Sequence, residues 1–329
     1  MARKLFFFAL FSVVLLSFFP ACAQPSSGRH IVVITGDAPD SFEKSRYGPG
    51  DYERFINFGG RRRRYLVHVP VGYKKTSSAP LVLVFHGGGG SAGNMPFTTR
   101  MNEKSESEGF IAVYPDGTGL NKRKHHSFNV GPGYGYAWQH KINDVGFVKS
   151  LLDDVAKLFN IDAKRVYSTG YSNGAMMSYR LASEMPERIA AIAPIGGALS
   201  PGWLAFKKPV SVIHFHGLKD NFFPFEGNKG RSILPKSTWS TFAPVEETLA
   251  WYIKNNGCPK SPSREHRKGN AVCKVYGPCK GGSEVVLWTI LDGGHTWPGG
   301  RGGGNLGKVS TDISANDLMW EFFKKHPLK

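Results

Sequence analysis

Five residues, Gly170-Tyr171-Ser172-Asn173-Gly174, constrain this chain more than any others. They sit between an apolar, β-rich run, Arg165-Val-Tyr-Ser-Thr169, and a run of helix formers, Ala175-Met-Met-Ser-Tyr-Arg-Leu-Ala-Ser183. A Gly-x-Ser-x-Gly pattern alone arises readily by chance in a chain with 40 glycines. Between a strand and a helix it reads as a nucleophile elbow, a turn that lifts the serine hydroxyl clear of the sheet. Such a turn is too tight for side chains two residues before and two after the serine, so both positions are glycine. The helix that follows aims its free N–H groups and positive end at the place where an oxyanion would form.

The rest of the chain supplies a sheet for that turn. Pro80-Leu-Val-Leu-Val-Phe85 and Phe110-Ile-Ala-Val-Tyr-Pro115 are continuously apolar, as strands buried on both faces should be. Tyr65-Leu-Val-His-Val-Pro70, Ile189–Ile195, Val210–Phe215 and Glu284–Ile290 read as further strands. Asn57-Phe-Gly-Gly60 reads as a hairpin turn. Between Asp144 and Phe159, apolar residues recur at 147, 148, 151, 152, 155, 158 and 159, a helical stripe facing a core. Val245–Asn255 and Asp312–Lys325 read as two more helices. Strands alternate with helices, so the expectation is an α/β fold with a mostly parallel central sheet and helices on both faces. No repeat or change of composition divides it, so residues 51–329 are expected to form one domain.

A serine nucleophile needs a base, and the base needs an orienting acid. In an open α/β sheet these lie at the C-terminal ends of strands. Asp220 follows strand 210–215 and His295 follows strand 284–290, giving the order Ser172, Asp220, His295. Asp292 is a rival acid, three residues from His295 on the same turn, and Asp116 is a weaker one. His214 and His216 are expected to be packed or hydrogen-bonded supports. After strand 80–85 comes His86-Gly87-Gly88-Gly89-Gly90. A phosphate-binding loop would continue into Gly-Lys-Ser/Thr, which is absent, so this stretch reads as an oxyanion loop. Gly88 and Asn173 are then the expected backbone donors. Residues 118–140 are polar, glycine-rich and aromatic, a long loop that could line a substrate pocket or lie on the surface. Candidate substrate contacts are Trp138 in that loop, Tyr171 in the elbow, and Trp297 just after His295. Trp297 has a second reading, as a prop under the histidine loop.

The termini and charge bear on location. Met1-Ala-Arg-Lys4 is basic, Leu5 to Phe19 is apolar, Pro20 breaks the run, and Ala21-Cys22-Ala23 is a cleavage pattern. We expect a secretory signal peptide over residues 1–23, cleaved before Gln24, and an extracellular or periplasmic protein. A lipoprotein acylated at Cys22 is the minor alternative. A stretch of about 15 apolar residues is short for a membrane span. Residues 24–50 are expected to be a loose N-terminus. The net charge of +17 suits acidic surfaces such as cell-wall polymers, and no nucleic-acid module is evident. Arg61–Arg64 is expected to charge a strand at the sheet edge. Of the cysteines beyond the signal, Cys258 paired with Cys279 would tie a helix end to a late strand, with a pair through Cys273 left open. No cofactor or metal is expected, since no histidine lies at ligand spacing from these cysteines.

Taken together, Pro49-Gly-Asp-Tyr-Glu-Arg54, Arg64-Tyr-Leu-Val-His-Val-Pro70, the His86 glycine loop, Asn143-Asp-Val-Gly-Phe147, the elbow, His216-Gly-Leu-Lys-Asp220 and His295-Thr-Trp-Pro-Gly299 resemble a known group. It is the secreted polyhydroxybutyrate depolymerase and feruloyl esterase group, carbohydrate esterase family 1. The resemblance runs over about residues 48 to 325. It implies an α/β-hydrolase fold, serine esterase chemistry and a triad on Ser172, Asp220 and His295. Many relatives have cysteine at the third position of the glycine loop, where this chain has Gly88; only a backbone N–H is needed there. No second module is expected after residue 325, which favours feruloyl or acetyl esters on plant cell-wall polysaccharide over polyhydroxybutyrate-type polyester. A catalytically silent, basic cell-wall-binding protein is the alternative of another class.

Overall fold

The alternation of apolar residues along the central strands decides how the molecule is layered. In the computed structural model, Leu81, Leu83 and Phe85 of one strand enter a core on one side, and Val82 and Val84 enter a second core on the other. A strand buried on both faces needs helices above and below it. The structure describes residues 31–34, 47–120, 125–132, 135–199, 206–228 and 242–329. The signal-peptide and Cys22 expectations lie outside these residues.

Eleven described strands join in one sheet: β1 (Ile31–Ile34), β2 (Gly50–Phe58), β3 (Arg61–Val69), β4 (Ala79–Phe85), β5 (Ile111–Pro115), β6 (Ile161–Tyr171), β7 (Ala191–Ile195), β8 (Ser211–Gly217), β9 (Arg264–Lys268), β10 (Ala271–Tyr276) and β11 (Val285–Ile290). Their order is β1-β2-β3-β5-β4-β6-β7-β8-β11-β10-β9. From β5 through β4, β6, β7 and β8 to β11 the pairs are parallel. Antiparallel pairs flank this centre, β2 with β3 and β3 with β5 on one side, β11 with β10 and β10 with β9 on the other.

Seven α-helices among the described residues accompany the sheet: α1 (Met95–Thr99), α2 (Met101–Glu108), α3 (Gly135–Gln139), α4 (Asp144–Leu158), α5 (Asn173–Glu184), α6 (Val245–Asn255) and α7 (Ala315–Lys325). The stripe at Phe147, Val148, Leu151, Leu152, Val155 and Leu158 puts α4 into the first core, with the apolar residues of α5 and α6. Met101 of α2 and Met319, Trp320, Phe322 and Phe323 of α7 build the second. The Asn143 side chain caps α4 by accepting from the Gly146 N–H, and Ser314 caps α7 through the Asp317 N–H.

Three expectations change. Ile31–Ile34, inside the stretch expected to be loose, is a strand parallel to β2. The arginine-rich β3 is not an edge strand but lies between β2 and β5. Two of its arginines are used internally: Arg63 pairs with Asp144 at 2.7 Å, and Arg64 pairs with Glu53 and with Asp116. The hairpin β9–β10 extends the sheet antiparallel where no strand was foreseen. The disulfide is Cys258–Cys279, joining the end of α6 to the β10–β11 connection, and Cys273 is a free, buried thiol that burial pushes up to about 12.

Candidate functional site

Ser172 stands at the junction of β6 and α5 with φ 57° and ψ −118°, a conformation few side-chain-bearing residues adopt. What holds it there is crowding on either side. A Cβ at Gly170 would lie 2.4 Å from the Gly174 carbonyl oxygen, and one at Gly174 would lie 2.3 Å from the Phe85 carbonyl oxygen. The two glycines let β4, β6 and the start of α5 close on one another. The Ser172 N–H donates to the Ile195 carbonyl at 2.9 Å, tying the turn to the end of β7.

The glycine loop after β4 lies against this turn. A Cβ at Gly87 would meet the Tyr171 ring at 3.1 Å and the Ser172 Cβ at 3.4 Å, and one at Gly88 would sit 3.7 Å from the Asn173 Cβ. The Asn173 side chain does a separate job. Its Oδ1 accepts from the Phe128 N–H at 2.8 Å and its Nδ2 donates to the Phe128 carbonyl at 3.1 Å, clamping the segment beneath. Beside that segment, the Gly89 N–H donates to the His126 carbonyl at 2.8 Å.

His295 and Asp220 meet at the ends of β11 and β8. Asp220 Oδ2 lies 2.7 Å from His295 Nδ1, and Asp220 Oδ1 accepts from the Phe222 and Phe223 N–H groups at 2.9 and 2.7 Å. Both residues are buried. Gly196 and Gly197, which follow β7, connect this pair to the serine. A Cβ at Gly196 would fall 3.3 Å from His295 Nδ1 and 3.6 Å from Asp220 Oδ2, while one at Gly197 would fall 2.7 Å from the Ser172 carbonyl oxygen. Sequence reasoning used these glycines only to end a strand. Phe222, also missed, stacks on His295 with ring centroids 5.4 Å apart.

The other acids are occupied elsewhere. Asp292 binds Lys308 and accepts from Asn270 Nδ2 at 3.0 Å, and the Lys308 ammonium lowers its pKa. Asp116 holds the glycine loop, accepting from the Ala92 N–H at 3.0 Å and pairing with Arg64 at 3.0 Å, with His126 Nδ1 3.2 Å away. Burial alone would raise its carboxyl, but the hydrogen bonds from His126 and the Ala92 N–H help to outweigh it and hold the group well below the usual range. His86, Asp116 and His126 are close enough to be weighed as metal ligands. Both nitrogens of His86 are already engaged: Nε2 accepts from the Gly117 N–H at 2.9 Å, which leaves Nδ1 to donate to the Gly87 carbonyl at 2.7 Å. The three act as a hub that fixes the loop.

Behind Asp220 runs a buried relay. The Tyr179 hydroxyl lies 2.8 Å from His214 Nδ1, His214 Nε2 lies 3.1 Å from His216 Nδ1, and His216 Nε2 lies 2.7 Å from the Phe223 carbonyl. The carbonyl can only accept, which sets the direction: Tyr179 donates to His214, His214 to His216, and His216 to Phe223. Burial pushes both imidazoles below their ordinary pKa, so they are neutral supports of the Asp220 loop.

Of the three expected substrate contacts, two are held by other partners. Trp297 is only 2% exposed, and its indole N–H donates to Asn316 Oδ1 at 2.9 Å, whose Nδ2 reaches the Thr99 carbonyl at 2.7 Å. A substrate wall needs an open ring face, and this ring is in the second core. Tyr171 packs on the His295 ring at 4.6 Å and donates its hydroxyl to the His295 carbonyl, so it braces the histidine loop. Trp138 lies half-buried on α3, and no hydrogen bond or ring contact among the described residues ties it to Ser172 or His295.

A parallel-centred sheet with this strained serine between strand and helix defines an α/β-hydrolase. The acetyl xylan esterase from Aspergillus awamori shares the fold, with a TM-score of 0.55 and 17% identity over 80% of this chain and 94% of that one. Residues 64–221, which hold the glycine loop, Ser172 and Asp220, match the family described as esterase PHB depolymerase. Feruloyl esterase D of Neurospora crassa is 27% identical over 272 residues, 82% of this chain and 84% of that protein. Feruloyl esterase B of Piromyces equi is 28% identical over 276 residues, 81% of this chain, and the chain spans only 46% of that protein's length. No helix among the described residues is long and apolar enough to cross a membrane.

Proposed function

We propose that this chain hydrolyses carboxylic esters through Ser172, His295 and Asp220, acting outside the cell on feruloyl or acetyl esters of plant cell-wall polysaccharide. One observation carries the reading: Gly196-Gly197 brings the His295–Asp220 pair and the strained Ser172 turn against the same two residues. Asp220 fixes His295 with its proton on Nδ1, leaving Nε2 to take the proton of the Ser172 hydroxyl. Ser172 then attacks the ester carbonyl. The backbone N–H groups of Gly88 and Asn173 receive the oxyanion, aided by the positive end of α5. His295 returns the proton to the leaving alcohol, and water, activated the same way, releases the acid from Ser172. Phe222, 36% exposed and stacked on His295, is placed to touch the acyl group.

The names of the relatives support polysaccharide esters, while the family description favours a second reading, a polyester depolymerase. Parallel turnover of methyl ferulate, acetylated xylan and polyhydroxybutyrate tests the choice. The proposal expects the first or second to exceed the third by more than tenfold in kcat/KM; a preference for the polyester would replace it, and no turnover of any ester would leave a silent binder.

A further inference from the structure

Beside the glycine loop lies a groove of about 350 Å³, lined among others by Phe55, Arg61, Arg62, Arg63, Thr118 and Leu120. Its charge is not balanced. Arg63 is matched by Asp144, and Arg64 by Glu53 and Asp116. Arg61 and Arg62, at the start of β3, are exposed and have no carboxylate partner among the described residues. The Arg62 guanidinium instead lies 3.9 Å over the Phe55 ring. Two donors in the same groove are unmet. Arg63 is 3% exposed and Thr118 8%, yet Arg63 Nε and the Thr118 hydroxyl, both buried, have no hydrogen-bond partner among the described residues. A buried polar group left unpaired has lost its hydration without replacement, so a ligand that pairs with it gains what the free protein lacks. Leu120, 84% exposed, gives the groove an apolar lip.

We infer that this groove binds the carboxylate of a uronic-acid residue in an acidic polysaccharide. A planar carboxylate suits the guanidinium fork, the Thr118 hydroxyl suits a sugar oxygen, and Leu120 suits the C–H face of a pyranose. A volume of this size is within the range of small-ligand sites. A nucleic acid would also answer the charge, but single-strand binding relies on open aromatic faces, and the Phe55 face is covered by Arg62. The groove is joined to the ester site: His126 lines it and takes the Gly89 N–H on its carbonyl, and Asp116 lines it and holds the Ala92 N–H. As an anchoring subsite for polysaccharide esters it rests on the function proposed above; the binding itself does not.

The test uses the full chain and an unesterified probe, so its outcome is separate from whether the chain turns over esters. Calorimetry or affinity electrophoresis would compare polygalacturonate with neutral arabinoxylan and with duplex DNA. Polygalacturonate should bind and arabinoxylan should not. The Arg61→Ala/Arg62→Ala pair, both exposed positions, should weaken polygalacturonate binding at least about tenfold. A charge-matched pair on α7, Lys324→Ala/Lys325→Ala, should change it less than about twofold. Thr118→Val, which keeps the shape and removes the hydroxyl, should weaken it about threefold or more. Equal losses from both charge pairs, no binding of polygalacturonate, or tighter arginine-dependent binding of DNA would each overturn the assignment.

Discussion

His295 Nδ1 and Asp220 Oδ2, 75 residues apart in sequence, lie 2.7 Å apart in the fold. Asp292, only three residues from His295, points its carboxylate to Lys308 and Asn270 instead. Chain proximity and spatial proximity therefore give opposite answers for the orienting acid. Asp220→Asn should lower kcat on p-nitrophenyl acetate by about 10⁴-fold, because the amide no longer fixes the productive tautomer. Asp292→Asn should change it by less than about threefold. The reverse ranking in steady-state kinetics would reassign the acid.

Gly196 makes a sharper test of geometry. At φ 60° it takes a backbone conformation that disfavours a side chain, and its missing Cβ leaves room for the His295 ring. Gly196→Ala should cost roughly 1–2 kcal/mol of stability from backbone strain. It should also lower kcat about 10²-fold by displacing His295 from its working position. A variant with normal kcat and only a lowered Tm would show that this contact does not position the imidazole.

Trp297 should behave as a prop. Trp297→Ala removes a core indole and should destabilise the protein by about 3–5 kcal/mol. Any activity left should fall by a similar factor for feruloyl, acetyl and butyryl esters. Asn316→Ala, which strands the indole N–H, should reproduce the pattern in milder form, at about 1–3 kcal/mol. If Trp297→Ala kept its Tm and changed the ranking of esters through KM, the ring would be a substrate contact after all.

The buried imidazoles set a pH limit on folding. His214 and His216 have pKa values lowered in the fold, chiefly by burial, so the folded state keeps them neutral where the unfolded chain begins to take up protons. As pH falls below about 6.5, the unfolded state binds more protons and stability must drop. Each imidazole contributes at most about 1.4 kcal/mol per pH unit in that window. The lowered pKa of Asp116 acts elsewhere, below about pH 4. Melting curves from pH 8 to pH 5 should show Tm flat at first and then falling. A Tm that rises on acidification through this range would contradict the neutral relay.

The sequence makes some of this legible and hides the rest for definable reasons. The strand-end positions of Ser172, Asp220 and His295 are readable because the runs that became β6, β8 and β11 are marked by buried or β-favouring residues, and strand ends are where such a sheet places reactive side chains. The β9–β10 hairpin is hidden because Arg264–Lys268 is polar and exposed throughout, and only the alternation of Ala271, Cys273 and Val275 marks its partner. The arginines of β3 mislead because a run of like charges reads as a solvent face, yet Arg63 and Arg64 find acids on α4, β2 and the residue after β5. Trp297 misleads because nearness to His295 in sequence says nothing about which way the ring turns; that is set by Asn316, nineteen residues on. The bracing by Tyr171 and the contacts of Gly196 involve residues that meet only once the sheet is assembled.

The central claim is that Ser172 is the nucleophile, and labelling with a fluorophosphonate reads it directly. The account predicts one phosphonyl adduct per chain, on the peptide containing Ser172. It should form fast in the intact protein, at least about 10³-fold slower in His295→Ala, and not at all in Ser172→Ala, whose ester turnover should fall about 10⁶-fold with an unchanged fold. An adduct on another residue, or Ser172→Ala turning over p-nitrophenyl acetate at the original rate, would contradict it.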